Sequence, residues 1–389
     1  MLNFEFCSPT RFLFGRNAEE KTGEMIKKYG GTKVLIHYGG GSVIRSGLLE
    51  RVKGSLEKEG IPSVELGGVQ PNPRSGLVYQ GIDLCRREGV DFVLAVGGGS
   101  VIDSAKAIAT GVLAEGDFWE YWEKKTPVRN ALPIGTVLTL PAAGSEASPN
   151  SVITNEKTLI KRGTAGDALR PRFSVLNPEL TYTLPAWQTA SGASDIIAHI
   201  LERYFTNTQE VEVTDRLCEA LLLTMIKQTP RVIADPKCYE ARANIMWTGT
   251  LAHNNVVGVG REQDWATHAI EHELSALYDV THGAGLAVLF PAWMEKALIH
   301  DPKRFATMAT RIFGIPNDGD DLRTGRKGIQ AWREFFKSIG MPENLRSLGV
   351  REEDFEYMAN RLLLKNDGTL GNFIKLTPKD VVEIYKSCY

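Results

Sequence analysis

The chain is short of the features that mark specialised classes of protein. Its 389 residues include 5 cysteines, none in a C-x-x-C pair. Cys7, Cys85, Cys218, Cys238 and Cys388 are scattered, so a disulfide framework and a thiolate metal site are not expected, and a reducing, cytoplasmic setting is. No apolar run approaches the roughly 18 residues of a membrane span, and Met1-Leu2-Asn3-Phe4-Glu5-Phe6 lacks the basic-then-apolar order of a secretory signal. Neither sign of charge is in excess. A formal net charge of −2 argues against nucleic acid or an anionic membrane as partner. Internal repeats, low-complexity tracts and the G-x-G-x-x-G fingerprint are missing as well. Histidine is scarce, 7 in all, which makes its distribution informative.

A chain this long exceeds one core, so two domains are expected. The first part alternates apolar runs of strand length with amphipathic ones. Lys33–Tyr38, Ser63–Leu66, Phe92–Val96 and Pro133–Pro141 read as strands, and Leu48–Lys58 and Gly76–Glu88 as helices. Ser151–Thr154 and Ser174–Pro178 lie in a β-rich, irregular stretch. The β-α-β-α rhythm predicts an α/β, doubly wound, parallel-sheet (Rossmann-like) domain. After Pro185 helical patterns dominate: Ala190–Phe205, Val211–Lys227, Ala241–Asn254 and Trp265–Leu277. The expected division is therefore 1–184, a dinucleotide-binding α/β domain, and 185–389, an all-α metal-binding domain.

Two strands end in three glycines and a serine, at Gly39-Gly40-Gly41-Ser42 and Gly97-Gly98-Gly99-Ser100. Such turns let backbone N–H groups and the positive end of the following helix approach a phosphate, and two in one α/β domain favour a dinucleotide site. Asp195 and His199 sit four apart and share a helix face, as do His268 and His272. His282 follows in a glycine-flanked loop, Thr281-His282-Gly283-Ala284-Gly285. Carboxylate and imidazoles converging from several elements suit a divalent metal. His37, His253 and His300 lack partners in sequence and read as ordinary core or surface residues. A rival pattern exists: His268-x-x-Glu271-His272 fits the H-x-x-E-H of inverzincin peptidases, which would make the protein a metallohydrolase with Glu271 as base.

The stretches Leu176 through Pro185 to Asp195-Ile196-Ile197-Ala198-His199 and Glu202, and Trp265 through His268, His272 and Val280 to His282-Gly283-Ala284-Gly285, narrow the choice. In residue type and spacing the sequence resembles the iron-containing (group III) alcohol dehydrogenase family, in its NAD(P)H-dependent butanol dehydrogenase and aldehyde reductase branch. The resemblance covers essentially the whole chain. It implies an active site in the cleft between the two domains and one Fe²⁺ (or Zn²⁺) per chain held by Asp195, His199, His268 and His282. It implies that Gly97, Gly98, Gly99 and Ser100 hold the cofactor diphosphate, with Asp103 near the nicotinamide. Thr139, Ser145 and Ser148 would line the rest of the groove, and Lys161 and Leu180 would meet the adenosine side. His272 would face the substrate pocket, where an imidazole is suited to relay a proton.

Two positions depart from the family pattern. Gly39 stands where many members carry an acidic residue for the ribose 2′-hydroxyl, and losing that carboxylate favours NADP(H), with NAD(H) possible. Asn177 stands where the first signature usually has Asp. The expected activity is interconversion of short-chain primary alcohols and aldehydes by hydride transfer, in a homodimer built through the Phe4–Phe14 region.

Overall fold

The computed structural model describes residues 1–389 and divides into two compact units. One is Cys7–Leu184; the other is Pro185–Tyr389 together with Met1–Phe6. The first six residues, expected with the α/β part, belong with the helical one. The Leu2 N–H donates to the Gly260 carbonyl at 2.8 Å and the terminal ammonium to Gln209 at 3.1 Å.

The Cys7–Leu184 unit carries eight strands: β1 (Arg11–Phe14), β2 (Val34–Gly39), β3 (Ser63–Val69), β4 (Phe92–Gly98), β5 (Ile134–Leu140), β6 (Asn150–Asn155), β7 (Ile160–Ala165) and β8 (Phe173–Leu176). Its helices are α1 (Thr22–Lys28), α2 (Ser42–Arg45), α3 (Leu48–Lys58), α4 (Ser75–Glu88), α5 (Gly99–Leu113) and α6 (Trp119–Trp122). Six strands form one parallel sheet in the order β1-β8-β5-β4-β2-β3, and β6 and β7 make a separate antiparallel hairpin. Alternate residues explain the layering. Val34, Ile36, Leu94, Val96 and Val175 share a core with Met25 and Ile26 of α1 and Val52 and Leu56 of α3. Leu35, His37, Val93 and Ala95 are buried on the opposite face, where the His37 ring reaches Ser104 of α5 at 2.8 Å. Strands covered on both faces read as continuous apolar runs, which is how β2 and β4 appear in sequence. β2 lies between β3 and β4, so the chain winds one way to β3 and returns past it to β4. In such sheets ligands bind outside the strand carboxyl ends at this reversal point, and both glycine turns stand there, at the ends of β2 and β4.

Asn177 caps the short 3₁₀ turn Pro178–Thr181, its side chain accepting from the Glu179 N–H at 3.1 Å. Its amide also donates to Glu19 at 2.9 Å, a bond an ionised aspartate could not make. The substitution keeps the cap and exchanges a charge for a donor.

The second unit is helical and without strands: α7 (Ala186–Tyr204), α8 (Glu212–Ala234), α9 (Tyr239–His253), α10 (Ala266–Tyr278), α11 (His282–Ala297), α12 (Pro302–Phe313), α13 (Asp321–Ser338), α14 (Phe355–Asn360) and α15 (Pro378–Ser387). α8 passes Lys227, where the sequence pattern fades, and runs through Pro230 to Ala234. The proline removes one donor, and packing of Thr229 and Val232 in the interior carries the helix on. Every residue of α7 from Thr189 to Tyr204 is buried. A helix hydrophobic all round belongs at the centre of a bundle; α7 is central yet carries Asp195, His199, Glu202 and Arg203, so each must find a partner or a ligand inside. No helix of the protein is long and apolar enough to cross a membrane.

Candidate metal centre

Asp195 Oδ1 is the hub of the cluster. It lies 3.6 Å from Nδ1 of His199, one turn along α7, and 3.7 Å from Nε2 of both His268 on α10 and His282 on α11. These separations are too long for hydrogen bonds. They match the spacing of about 3.4 Å between ligands that each sit about 2.1 Å from a tetrahedral ion. Asp195, His268 and His282 each offer a ligand atom within 4.8 Å of the other two. His199 stands beside this trio: its ring centre is 4.7 Å from that of His268.

The unpartnered atoms test whether a cation fits. Asp195 Oδ1, His199 Nδ1 and His268 Nε2 are buried and take no hydrogen bond. A buried polar atom left alone costs about 1–3 kcal/mol, and a cation bound beside Asp195 Oδ1 would give such atoms a partner. Electrostatics agree. Burial pushes the Asp195 carboxyl up, but the imidazoles of His199, His282 and His268 outweigh it and hold the group well below the usual carboxylate range. Burial also works to lower His268, yet the carboxylates of Asp195 and Glu202 hold it up, at about 9. The cluster attracts positive charge. His199 behaves differently: burial, opposed by Asp195 and reinforced by His253, His268 and Arg203, keeps its ring neutral and able to donate a lone pair.

The far side of two imidazoles is fixed by buried glutamates. Glu202 Oε1 accepts from His268 Nδ1 at 2.8 Å and from the His268 backbone N–H at 3.0 Å, and Oε2 accepts from the Trp265 N–H at 2.8 Å. Glu271 accepts from His282 Nδ1 and from the Ser275 hydroxyl. A carboxylate behind each ring selects the tautomer whose other nitrogen faces Asp195. This disposes of the peptidase reading. Glu271 is fully buried and spent on orienting His282, so it cannot serve as a base facing solvent. His272 lies outside the converging trio, its ring centre 5.5 Å from that of His282.

His282 is not in a loop: it is the first residue of α11. Its flanking glycines serve close packing. A Cβ on Gly283 would stand 1.9 Å from the Ser191 carbonyl of α7, and one on Gly285 would stand 2.8 Å from Glu271 Oε1. His253, expected to be unremarkable, closes α9 with its ring 4.3 Å from His199. His37 is a buried core residue and His300 bonds Asn207 near the surface. Glu202 was findable in sequence, because it lies three residues past His199 on the same helix and inside the first signature stretch. No sequence spacing points to His253.

In the α/β unit the two glycine turns differ. Gly97–Gly98 closes β4 and Gly99 opens the 15-residue α5, whose first turn has no acidic residue and no side-chain cap. Its leading N–H groups are therefore available to an anion. A Cβ on Gly97 would lie 2.4 Å from Val101, and one on Gly99 2.8 Å from Ala143. Gly39 to Ser42 leads only into α2, a single turn, with Gly41 at φ 103. The helix placed from Leu48 is separate. A one-turn helix has little dipole to offer a phosphate.

The remaining predicted cofactor residues divide by what holds them. Thr139 is half-buried at the end of β5. Asp103 accepts from Ser145 Oγ and from the Val152 N–H at 2.9 Å. Burial pushes its carboxyl up, against Lys106 and Ser145. Ser145 also accepts from Lys106, and Ser148 is buried with its carbonyl on the same ammonium. Lys161 on β7 is buried against Asn72 at 2.9 Å, and Leu180 packs on the sheet's core. Lys106 was missed by sequence reasoning. It is wholly buried and donates to the carbonyls of Ser145, Ser148 and Asn150 at 2.7–2.9 Å. Burial lowers it to about 8, with Asp103 and Glu146 opposing.

Comparison with known proteins places these features in a family context. Residues 9–178 match the family model "Iron-containing alcohol dehydrogenase", and residues 189–389 match "Fe-containing alcohol dehydrogenase family, C-terminal". The chain is 43% identical over 390 residues to NADH-dependent butanol dehydrogenase A of Clostridium acetobutylicum, covering 100% of both. It is 39% identical over 356 residues to the NADPH-dependent aldehyde reductase of Escherichia coli, covering 90% of each. The crystal structure of NADH-dependent butanol dehydrogenase A from Thermotoga maritima superimposes with a TM-score of 0.96 at 44% identity, covering 100% of this chain and 99% of that one.

Proposed function

Because the chain belongs to the iron-containing alcohol dehydrogenase family, we propose that its converging carboxylate and imidazoles hold the metal of an alcohol–aldehyde oxidoreductase. The protein is an NAD(P)-dependent alcohol dehydrogenase that interconverts alcohols and aldehydes; our reading assigns roles to its residues and narrows the substrate to short-chain primary alcohols. The observation that carries it is the set of buried ligand atoms of Asp195, His199 and His268 that have no hydrogen-bond partner.

Asp195, His199, His268 and His282 hold one divalent ion, Fe²⁺ in preference to Zn²⁺. The ion supplies Lewis acidity toward a carbonyl or hydroxyl oxygen, and a nicotinamide supplies or takes the hydride. Glu202 and Glu271 fix the tautomers of His268 and His282, so that both rings present a lone pair throughout the reaction. Gly97, Gly98, Gly99 and Ser100 bind the cofactor diphosphate with backbone N–H groups, and Gly39 to Ser42 lie at the ribose end. Asp103, Thr139, Ser145, Ser148, Lys161 and Leu180 support or line the rest of that groove. His272 moves a proton between substrate oxygen and solvent. NADP(H) is preferred, because no carboxylate stands at Gly39 to repel a 2′-phosphate and the Arg45 guanidinium lies over Gly41. The protein works as a cytoplasmic homodimer: all five cysteines are free, and Leu2, Phe4 and Phe6 are exposed.

The test is loss of reduced-nicotinamide absorbance with a panel of short-chain aldehydes, with each cofactor, with and without chelator. Chelator-sensitive oxidation, faster with NADPH, is expected; turnover indifferent to chelator would refute the metal's role. His272→Ala should lower turnover by about 100-fold with metal content unchanged. Light scattering on the eluting protein reads its oligomeric state.

A further inference from the structure

Two of the three imidazoles at the metal centre have a carboxylate behind them, and His199 has none. What stands behind it is Arg203, one turn along α7. Arg203 is buried, yet no carboxylate touches its guanidinium. One terminal nitrogen donates to the His199 carbonyl at 2.7 Å. The other bonds His253 Nδ1 at 3.3 Å, and the guanidinium lies 4.5 Å over the Trp265 ring. Those two rings form the wall against His199, at 4.3 Å for His253 and 5.9 Å for Trp265. Trp265 needs holding: it sits in the left-handed backbone region at φ 72, a conformation that bulky residues seldom adopt, and its N–H is pinned by Glu202.

We infer that Arg203 is the positioning residue of His199. It grips the backbone of that residue and clamps His253 and Trp265 as a ring wall, so that the third imidazole is oriented by packing where Glu202 and Glu271 orient the other two by bonding their rings. The chemistry suits the task. A guanidinium is flat, donates along its edge and stacks on an aromatic face, so one group serves a carbonyl, an imidazole nitrogen and an indole together. It also leaves His253 Nδ1 as an acceptor, which fixes the tautomer of the wall. A lysine has no edge or face and could not hold all three.

The inference rests on the proposed metal site, and the test separates the two. The metal-stripped full-length chain is titrated with Co²⁺ against a chromophoric chelator, and the visible spectrum of the bound ion is recorded. Native protein that binds Co²⁺ and an Asp195→Ala variant that does not establish the site; native protein that binds none overturns site and inference together. Given binding, Arg203→Met should weaken Co²⁺ by about 10–100-fold and shift its absorption bands, because His199 loses its fixed orientation. His253→Gln keeps an acceptor for the guanidinium but removes the ring, and should give a smaller loss with a shift in the same direction. Either variant, folded by circular dichroism and with native affinity and spectrum, overturns the proposal. If Arg203→Met does not fold, His253→Gln decides alone.

Discussion

The nucleotide site we propose for the α/β unit offers backbone to its ligand, whereas the metal site we propose for the helical unit offers side chains. At the end of β4 the groups proposed to bind are N–H donors, and Gly97 and Gly99 have no Cβ to collide with Val101 and Ala143. Around α7 they are a carboxylate and imidazoles, brought close because Gly283 and Gly285 let α11 press on Ser191 and Glu271. Glycine serves both, but to different ends. In one it exposes the ligand-binding atoms; in the other it lets helices approach so that the side chains of different helices meet. The sites also differ without ligand. Water can satisfy the open N–H groups of a helix start, but Asp195 Oδ1, His199 Nδ1 and His268 Nε2 are buried and unpartnered. On our reading the helical site is built under a penalty that a bound ion would relieve, which would link metal binding and stability there.

The largest effect should come from Asp195→Ala, which removes the hub atom. Metal content by emission spectroscopy should fall to none, activity to background, and the metal-dependent part of the melting temperature should vanish. Nucleotide affinity, a property of the backbone site, should remain. If metal loss also abolished nucleotide binding, the two sites would not be separable in this way. Next is Lys106→Met, which probes whether the backbone site is backbone alone. Removing the ammonium strands the Ser145, Ser148 and Asn150 carbonyls and leaves Asp103 with only the smaller pull of Lys161, at a cost of about 3–5 kcal/mol in urea unfolding. A loss below about 1 kcal/mol would show that the 145–150 segment holds itself. Glu202→Gln is gentler. It keeps an acceptor for the His268 ring but removes the charge, and should weaken metal by about 10–100-fold, or roughly 1.4–2.7 kcal/mol. Unchanged affinity would mean that Asp195 alone orients that ring.

The same contrast governs how much could be read from sequence. Asp195 with His199 and His268 with His272 announce themselves by residue type and helical spacing, His282 by residue type in a glycine-flanked stretch, β2 and β4 by continuous apolar runs, and α3 by its amphipathic pattern. What stayed hidden depends on partners far away in the chain. Glu271 meets His282 because of how α10 and α11 pack, and Lys106 meets Ser145 across 39 residues. The glycines beside His282 read as a loop because glycine breaks helices when nothing packs on it; here α7 does. β7 was missed because Lys161, Arg162 and Gly163 give no apolar alternation, and its pairing with β6 makes it a strand. α8 outran Pro230 for the same reason: buried packing overrode a local breaker.

The smallest effect concerns a histidine that belongs to the scaffold and not to a site. Burial pushes His37 from 6.5 down to about 4, against the pull of the Leu66 carbonyl. Below about pH 6.5 the unfolded chain therefore binds a proton that the folded α/β unit refuses until about pH 4. A group with a depressed imidazole pKa withdraws stability as pH falls through that window, here by up to about 1.4 kcal/mol per pH unit. Near neutral pH it contributes no slope. His37→Gln removes the titration, so its urea midpoint should fall less steeply between pH 6.5 and 4 than the native one. Both proteins are to be measured in chelator, so that protons competing with metal at the helical site do not enter. Parallel slopes would place the ring's proton affinity near that of free histidine, and would mean that the Ser104 and Leu66 contacts hold a charged imidazole in the sheet's core.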